Sequence, residues 1–182
     1  FLKILVMQKT LGKKEGFFMT IAIRNARAQD AEAVAAIEAL CFPAAEAASA
    51  QTIAARIAAF PSYFFVAEQN GALIGFVNGC VTNSPIIEDE LFQDPSRHIP
   101  GGTHAAIFGL DVVPNRRRQG IAAQLMRHFI SEAQRQGQRH VILTSKKHLI
   151  GYYETFGYVN NGLSQSTHGG SEWYDMTLDL ER

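Results

Sequence analysis

The chain is poor in cysteine: Cys41 and Cys80 are the only two in 182 residues, and each stands alone in the sequence. No CxxC pair or zinc-type spacing includes them, so we expect neither a disulfide framework nor a metal site. Free thiols suit a reducing compartment, and we therefore expect a cytoplasmic protein.

An excess of charge of one sign is also missing, because 17 Lys and Arg residues balance 17 Asp and Glu residues. A general electrostatic attraction to nucleic acid or to an anionic membrane is therefore not expected. No apolar run reaches the length of a membrane span, and the apolar start at 1–7 is followed by basic residues rather than a cleavage site. We expect no nucleic-acid partner and no membrane partner.

Hydrophobic residues are plentiful, at 47% of the chain, which is typical of a globular protein. The length fits a single domain. Met19 and Thr20 precede the first strand-like segment. We expect residues 1–18 to be an extension outside the core and residues 19–182 to form one domain.

The hydrophobic pattern predicts strands and helices that alternate along this domain. In chain order the pattern is β α α β β, a loop, then β α β α β β, which favours an α/β layer with a mixed sheet. Strands are predicted at 21–25, 63–68, 72–81, 103–113, 140–144, 158–163 and 171–180, helices at 34–41, 49–60, 120–136 and 147–156, and a short helical turn at 86–92 within the loop 82–102.

The most informative segment is 110–122, where a strand ends, a turn carries three arginines at 116–118, and a helix opens on Gly120. Free N–H groups at a helix N-terminus form a ready site for phosphate. Gly120 and Ala122 lack bulk, so a diphosphate can come close to the main chain. An arginine of the turn can add a charge-assisted contact, although an arginine run by itself usually decorates a solvated turn.

The Arg-x-x-Gly-x-Ala pattern at 117–122 resembles the acyl-CoA motif of the GNAT family of N-acetyltransferases, and the element order is similar too. This resemblance implies a central, mixed, mostly antiparallel twisted sheet of six to seven strands flanked by about four helices. It also implies acetyl-CoA as co-substrate. Main-chain amides of the turn would hold the diphosphate, and the preceding strand would pair with the pantetheine arm. The implied acetyl-CoA-binding residues are Leu110, Asp111, Val112, Arg117, Arg118, Gln119, Gly120, Ile121, Ala122 and Ala123.

The segment Tyr-Tyr-Glu-Thr-Phe-Gly-Tyr at 152–158 resembles a second sequence motif of that family. In relatives the tyrosine that matches Tyr153 lies near the thioester sulfur and protonates the leaving thiolate. A phenol suits this role, because its reference pKa of about 10 keeps it protonated at neutral pH. Packing of helix against sheet is the alternative role for Tyr153.

The larger pattern is similar to the arylalkylamine N-acetyltransferase-like branch of the family. The vertebrate arylalkylamine enzymes carry two histidines on the central strand, where this chain has Ala106 and Phe108. An alkylamine is mostly ammonium at pH 7, so another group must accept its proton before attack. His104, on the same strand, is the first candidate, and Glu46 is the second, in either case directly or through water.

Two clusters are predicted to frame the acceptor. Phe42 and Pro43 offer an apolar wall, and the polar loop 164–173 contributes His168 and Trp173, although this loop is equally explained as a strand connection. The expected acceptor is a small-molecule or peptide amine, and the resemblance leaves a homodimer open.

The resemblance therefore implies an acetyl-CoA-dependent N-acetyltransferase that acts on a primary amine by direct attack in a ternary complex. A non-catalytic acyl-CoA sensor or interaction module is the alternative, since the strand histidines are missing. Nucleic-acid binding through the three arginines is a weaker hypothesis, because the balanced charge supplies no wider basic face.

Overall fold

A computed structural model describes residues 20–181, so the predicted extension at 1–18 lies outside the described residues. The strands are β1 (Ala22–Asn25), β2 (Phe64–Gln69), β3 (Ala72–Thr82), β4 (His104–Val112), β5 (His140–Ser145), β6 (Val159–Leu163) and β7 (Tyr174–Asp179). The α-helices are α1 (Ala31–Cys41), α2 (Ala50–Ala59), α3 (Asp89–Gln93), α4 (Ile121–Arg135) and α5 (Ile150–Glu154).

The seven strands form one sheet in the order β1-β2-β3-β4-β5-β7-β6. Only β4 and β5 are parallel neighbours within the described residues, and the other pairs are antiparallel. The predicted mixed, mostly antiparallel sheet is therefore confirmed. Five α-helices flank it rather than about four, because the short turn expected at 86–92 is the helix α3.

The middle of the sheet is buried on both faces, as β2 shows. Successive strand residues point to opposite faces. Phe65 and Ala67 join a hydrophobic cluster with α4 on one face, and Phe64 and Val66 join another with α1 and α2 on the other. The side chains that α4 contributes are Leu125, Met126 and Phe129, as its apolar spacing predicts.

Helices α1 and α2 each place one charged side chain on the face that packs against the sheet. Leu40, which recurs at helical spacing with Val34, is 65% exposed, whereas Glu38 is 4% exposed and shares the buried face with Val34. In α2, Arg56 is 5% exposed and lies one residue from the buried Ile57. Residues three and four apart share a helix face, so these charges point towards the sheet rather than towards water.

The parallel pair β4 and β5 separates halfway along its length. Pairing between the two strands runs from His104–His140 to Ile107–Leu143 and stops there. Beyond this point β4 stays paired with β3 as far as Val112. The edge of β4 that faces β5 is therefore unpaired over its second half, and a gap opens in the sheet.

A β-bulge marks the start of this gap. On β3, Asn78 pairs with Gly109 and Gly79 pairs with Ile107, so Phe108 is an extra residue on β4. A bulge bends its strand and leaves the extra residue out of the ladder. The bend directs the second half of β4 away from β5.

Gly79 on β3 lies beside the bulge and supplies a test of this geometry. A Cβ atom at Gly79 would lie 1.9 Å from the carbonyl oxygen of Ala106, which requires the strands to move apart. We expect Gly79→Ala to lower the free energy of unfolding by about 3 kcal/mol in urea titrations. Gly151→Ala is the control, because nothing lies within 4 Å of that added Cβ; a loss of similar size there would contradict the close approach.

Candidate active site

The gap between β4 and β5 opens into a cavity of about 1020 Å³. The two separated strand ends form its floor, and its walls come from the start of α4, from α5, from α1, α2 and their connection, from the end of α3, and from the loop before β7. Segments that are distant in sequence thus line one site.

The start of α4 has the form of an anion-binding turn. Arg118 and Gly120 have left-handed φ angles of 61° and 78°, and Gly120 occupies the N-cap, where no side chain caps the helix. The first intrahelical bond runs from the Gln124 N–H to the Gly120 carbonyl at 3.1 Å, so the N–H groups of 121–123 precede the helical ladder. These residues line the cavity, and their amides form a cradle for an anion.

The arginines of the turn have different surroundings. Arg117 donates its Nε–H to the carbonyl of Val112 at 3.0 Å and thereby ties the turn to the end of β4. Arg116 has a buried Nε without a hydrogen-bond partner among the described residues. All three arginines line the cavity, whereas Gln119, also predicted to bind acetyl-CoA, is not part of its wall.

Two carboxyl groups lie buried in the cavity wall, Asp111 on β4 and Glu38 on α1. Within the described residues, Asp111 Oδ2 and Glu38 Oε2 lack hydrogen-bond partners, and Glu38 Oε1 accepts the Ala48 N–H at 3.0 Å. Burial raises the pKa of Asp111 to about 8, and the nearby charge of Glu38 adds to this effect. Burial raises the pKa of Glu38 as well. The pair can therefore hold or accept a proton near neutral pH.

Tyr153 on α5 lines the same cavity. Its ring packs against Tyr158 with a centroid distance of 6.0 Å. Burial raises the pKa of Tyr153 far above the ordinary phenol value, and the charges of Tyr152 and Asp111 act in the same direction. The phenol thus keeps its proton at neutral pH, and Tyr153 and Asp111 both line the cavity.

The residues predicted to frame the acceptor all lie in the cavity wall. Phe42 and Pro43 line it from the connection after α1. His168 stacks on Phe92 with a centroid distance of 4.8 Å, and Trp173 donates its Nε1–H to the His168 carbonyl at 2.9 Å. The structure thus brings the loop 164–173 to the site, and its role there stays a prediction.

Glu46 is in the cavity wall but is already bound by other side chains. Its Oε1 accepts hydrogen bonds from Lys146 Nζ and Ser171 Oγ, both at 2.7 Å. Burial by itself would raise the pKa of Glu46, but these bonds outweigh it, and the pKa lies below its usual range. Because a carboxylate held in this way takes a proton poorly, its geometry suits positioning of the acceptor loop rather than the predicted role of base.

His104 lies at the opposite end of β4 from the gap. It stacks on His140 with a centroid distance of 4.7 Å, and its Nδ1 is 2.8 Å from Thr103 Oγ1. The cavity wall on β4 begins only at Ile107. The prediction of His104 as proton acceptor therefore does not fit its position, because the first half of β4 is closed by pairing with β5.

The sequence of residues 31–158 matches the model of the acetyltransferase (GNAT) family. The chain belongs to this family. The match does not support the narrower arylalkylamine N-acetyltransferase-like branch. No sequence match to a curated protein was found.

Solved structures share the GNAT fold with this chain. The GphF GNAT-like decarboxylase in complex with isobutyryl-CoA superimposes with a TM-score of 0.77 at 20% identity, covering 87% of this chain and 99% of that one. The ribosomal-protein-S18-alanine N-acetyltransferase from Escherichia coli gives 0.66 at 22% identity, covering 88% and 94%. Arabidopsis thaliana Naa50 with a bisubstrate analogue gives 0.69 at 16% identity, covering 88% and 99%. At these identities, the likeness establishes the fold.

Within residues 20–181 of this GNAT protein, no helix is long and apolar enough to cross a bilayer. No cluster of three or more His, Cys, Asp or Glu side chains in that range has an arrangement that would hold a metal ion.

The buried carboxyl of Asp111 makes the stability of this GNAT protein depend on pH. Its pKa is about 8 in the folded state, against about 3.9 for an Asp in an unfolded chain, so between these values the folded state binds the extra proton. The stability that this bound proton gives the folded state is present at acid pH and is lost as the pH rises to 8. We expect the free energy of unfolding of Asp111→Asn to rise relative to that of the native chain as the pH goes from 4 to 8, by on the order of a few kcal/mol in total. Urea titrations across this range measure it, and a constant difference would contradict the burial.

Proposed function

We propose that this protein is an acetyl-CoA-dependent N-acetyltransferase that acetylates a primary amine by direct attack in a ternary complex. Family membership supports the proposal. The observation that carries it is the uncapped start of α4, which opens into the gap between β4 and β5. Relatives described as an N-acetyltransferase and as a complex with a CoA-containing bisubstrate analogue share this fold.

The residues of the gap fit the two parts of acetyl-CoA. The amides of 121–123 and the arginines at 116–118 suit a diphosphate, because they combine free N–H groups with positive charge. Among the described residues, the edge of β4 beyond Ile107 has no strand partner on the β5 side, so its backbone is available to the amide groups of the pantetheine arm. Leu110 and Val112 then pack into the core while their main chain binds the arm.

The proposed chemistry needs one group to take a proton and one to give a proton. Acetyl-CoA supplies a thioester whose carbonyl carbon forms the new bond to the amine nitrogen as CoA leaves. Asp111, assisted by Glu38, accepts the proton of the incoming ammonium, and a pKa near the working pH is the optimum for a general base. Tyr153 donates its proton to the departing sulfur.

Attack by the amine itself, rather than by a cysteine of the enzyme, is favoured by the state of the thiols. Cys41 lines the cavity, and burial raises its pKa, as it does for Cys80. Thiolates rather than thiols are nucleophilic, so neither cysteine is activated. The proximity of two bound substrates then supplies much of the rate.

Gly120→Asp tests the anion cradle. A carboxylate beside the free amides of α4 would repel a diphosphate, and we expect the Kd for acetyl-CoA to rise by a factor of about 10 or more in calorimetric titrations. Gly120→Asn is the matched control, because asparagine has the same shape and tolerates a positive φ without adding charge. Equal weakening by both substitutions, or no binding of acetyl-CoA to the native chain, would contradict the cradle.

Tyr153→Phe tests the proton donor. We expect kcat to fall by a factor of about 100 or more with little change in the Kd for acetyl-CoA, because only the proton transfer is lost. Tyr152→Phe is the control, since the buried Tyr152 hydroxyl has no hydrogen-bond partner within residues 20–181. The measurement is amine-dependent release of CoA thiol. If kcat of Tyr153→Phe equalled that of the native chain from pH 6 to pH 9, Tyr153 would have no part in the mechanism. If the native chain bound acetyl-CoA tightly but no amine caused release of CoA, the protein would be a sensor.

A further inference from the structure

Arg56 is a buried cation that forms no ion pair within residues 20–181. It is 5% exposed and lines the cavity from α2. Among the described residues, no carboxylate lies within ion-pair distance of its guanidinium. Its Nη2 donates to the Phe92 carbonyl at 2.7 Å, and its Nη1 makes a longer contact of 3.4 Å with Asn78 Oδ1.

The hydrogen-bond donors at this position outnumber the acceptors. A guanidinium carries five N–H donors and stays charged. The Nε of Arg56 is buried and has no acceptor within the described part of the chain, and the same holds for Nδ2 of the adjacent Asn78. Buried donors without acceptors are costly, as is a buried charge without a counter-ion. A ligand that supplies acceptor oxygens and negative charge would satisfy both.

The position of Arg56 in the cavity shows which part of a ligand it would meet. Its guanidinium lies over the ring of Phe108, 5.0 Å from the centroid, at the bulge where the gap begins. Asp111 pairs with Phe76, which packs in the cluster with α1 and α2, and Arg56 contacts Asn78, two residues after Phe76 on the same face of β3. Arg56 is therefore on the α1 and α2 side of the sheet with the two buried carboxyl groups that we assign to the amine.

We propose that Arg56 binds a carboxylate of the acceptor, so that the preferred acceptors are amines that carry a carboxylate of their own, such as amino acids. The inference rests on the proposed function, because the amine must lie at Asp111 and Glu38 for Arg56 to meet the same molecule. The ammonium group of such an acceptor would then lie at Asp111 and Glu38, and its carboxylate would bind the guanidinium of Arg56.

The direct experiment uses the native chain with saturating acetyl-CoA and matched acceptors that differ only in the carboxylate. The pairs are phenylalanine with 2-phenylethylamine, and 5-aminopentanoate with pentylamine, and CoA release is measured. We expect the carboxylate-bearing member of at least one pair to have a kcat/KM higher by a factor of about 10 to 100, which is the usual effect of a hydrogen bond to a charged group.

Substitutions then assign this preference to Arg56. Arg56→Gln removes the charge, and Arg56→Lys keeps the charge without the planar fork. We expect both to raise KM for the carboxylate-bearing acceptor and to reduce the preference within the pair, Gln more than Lys, while the Kd for acetyl-CoA stays unchanged. Arg135→Gln is the control, because Arg135 is exposed at the far end of α4 and should leave the preference intact.

Each other outcome overturns the inference in a distinguishable way. Equal kcat/KM within both pairs would show that the acceptor carboxylate is not recognised, while the proposed function would stand. Stronger binding of malonyl-CoA than of acetyl-CoA, lost in Arg56→Gln, would assign the guanidinium to the acyl group instead. Binding of acetyl-CoA with no turnover of any of the four amines would contradict both this inference and the proposed function. If the variants do not fold, the native acceptor pairs alone decide.

Discussion

The separation of β4 from β5 after Ile107 is the constraint on which the site depends. A continuous parallel pair would bury its hydrogen-bonding edges and leave no space in the sheet. The bulge at Phe108 ends that pairing while β3 still holds β4 from the other side. The gap therefore has a fixed floor, and the start of α4 and the helix α5 both line the cavity into which it opens.

Burial of charge is the second property that defines the site. Glu38, Arg56 and Asp111 are all less than one tenth exposed, and each has a polar atom without a partner among the described residues. Such groups cost stability unless they are compensated, and in folded proteins they cluster where chemistry occurs. Glu46 is also buried with its Oε2 unpartnered among the described residues, but its Oε1 accepts hydrogen bonds from Lys146 and from Ser171 of the loop 164–173.

Much of the fold and part of the site could be predicted from the sequence. The apolar spacing of α4 gave the correct buried face, since it reflects the period of the helical backbone. The turn at 116–122 and Tyr153 could be selected because their local motifs carry the chemistry. Glu38 and Arg56 were missed, although a charged residue within an apolar helical stripe, at 34–41 and at 53–57, was a visible signal.

By itself the sequence determined the order of elements, the uncapped glycine before α4 and the acidic residue at the end of β4. These depend on local backbone preferences and on neighbours within a few residues. Only the tertiary structure decided which of them meet. His104 and Asp111 lie on one strand, yet pairing with β5 closes the sheet at the first and leaves it open at the second. Strand pairing is a long-range property that short spacing along the chain does not encode.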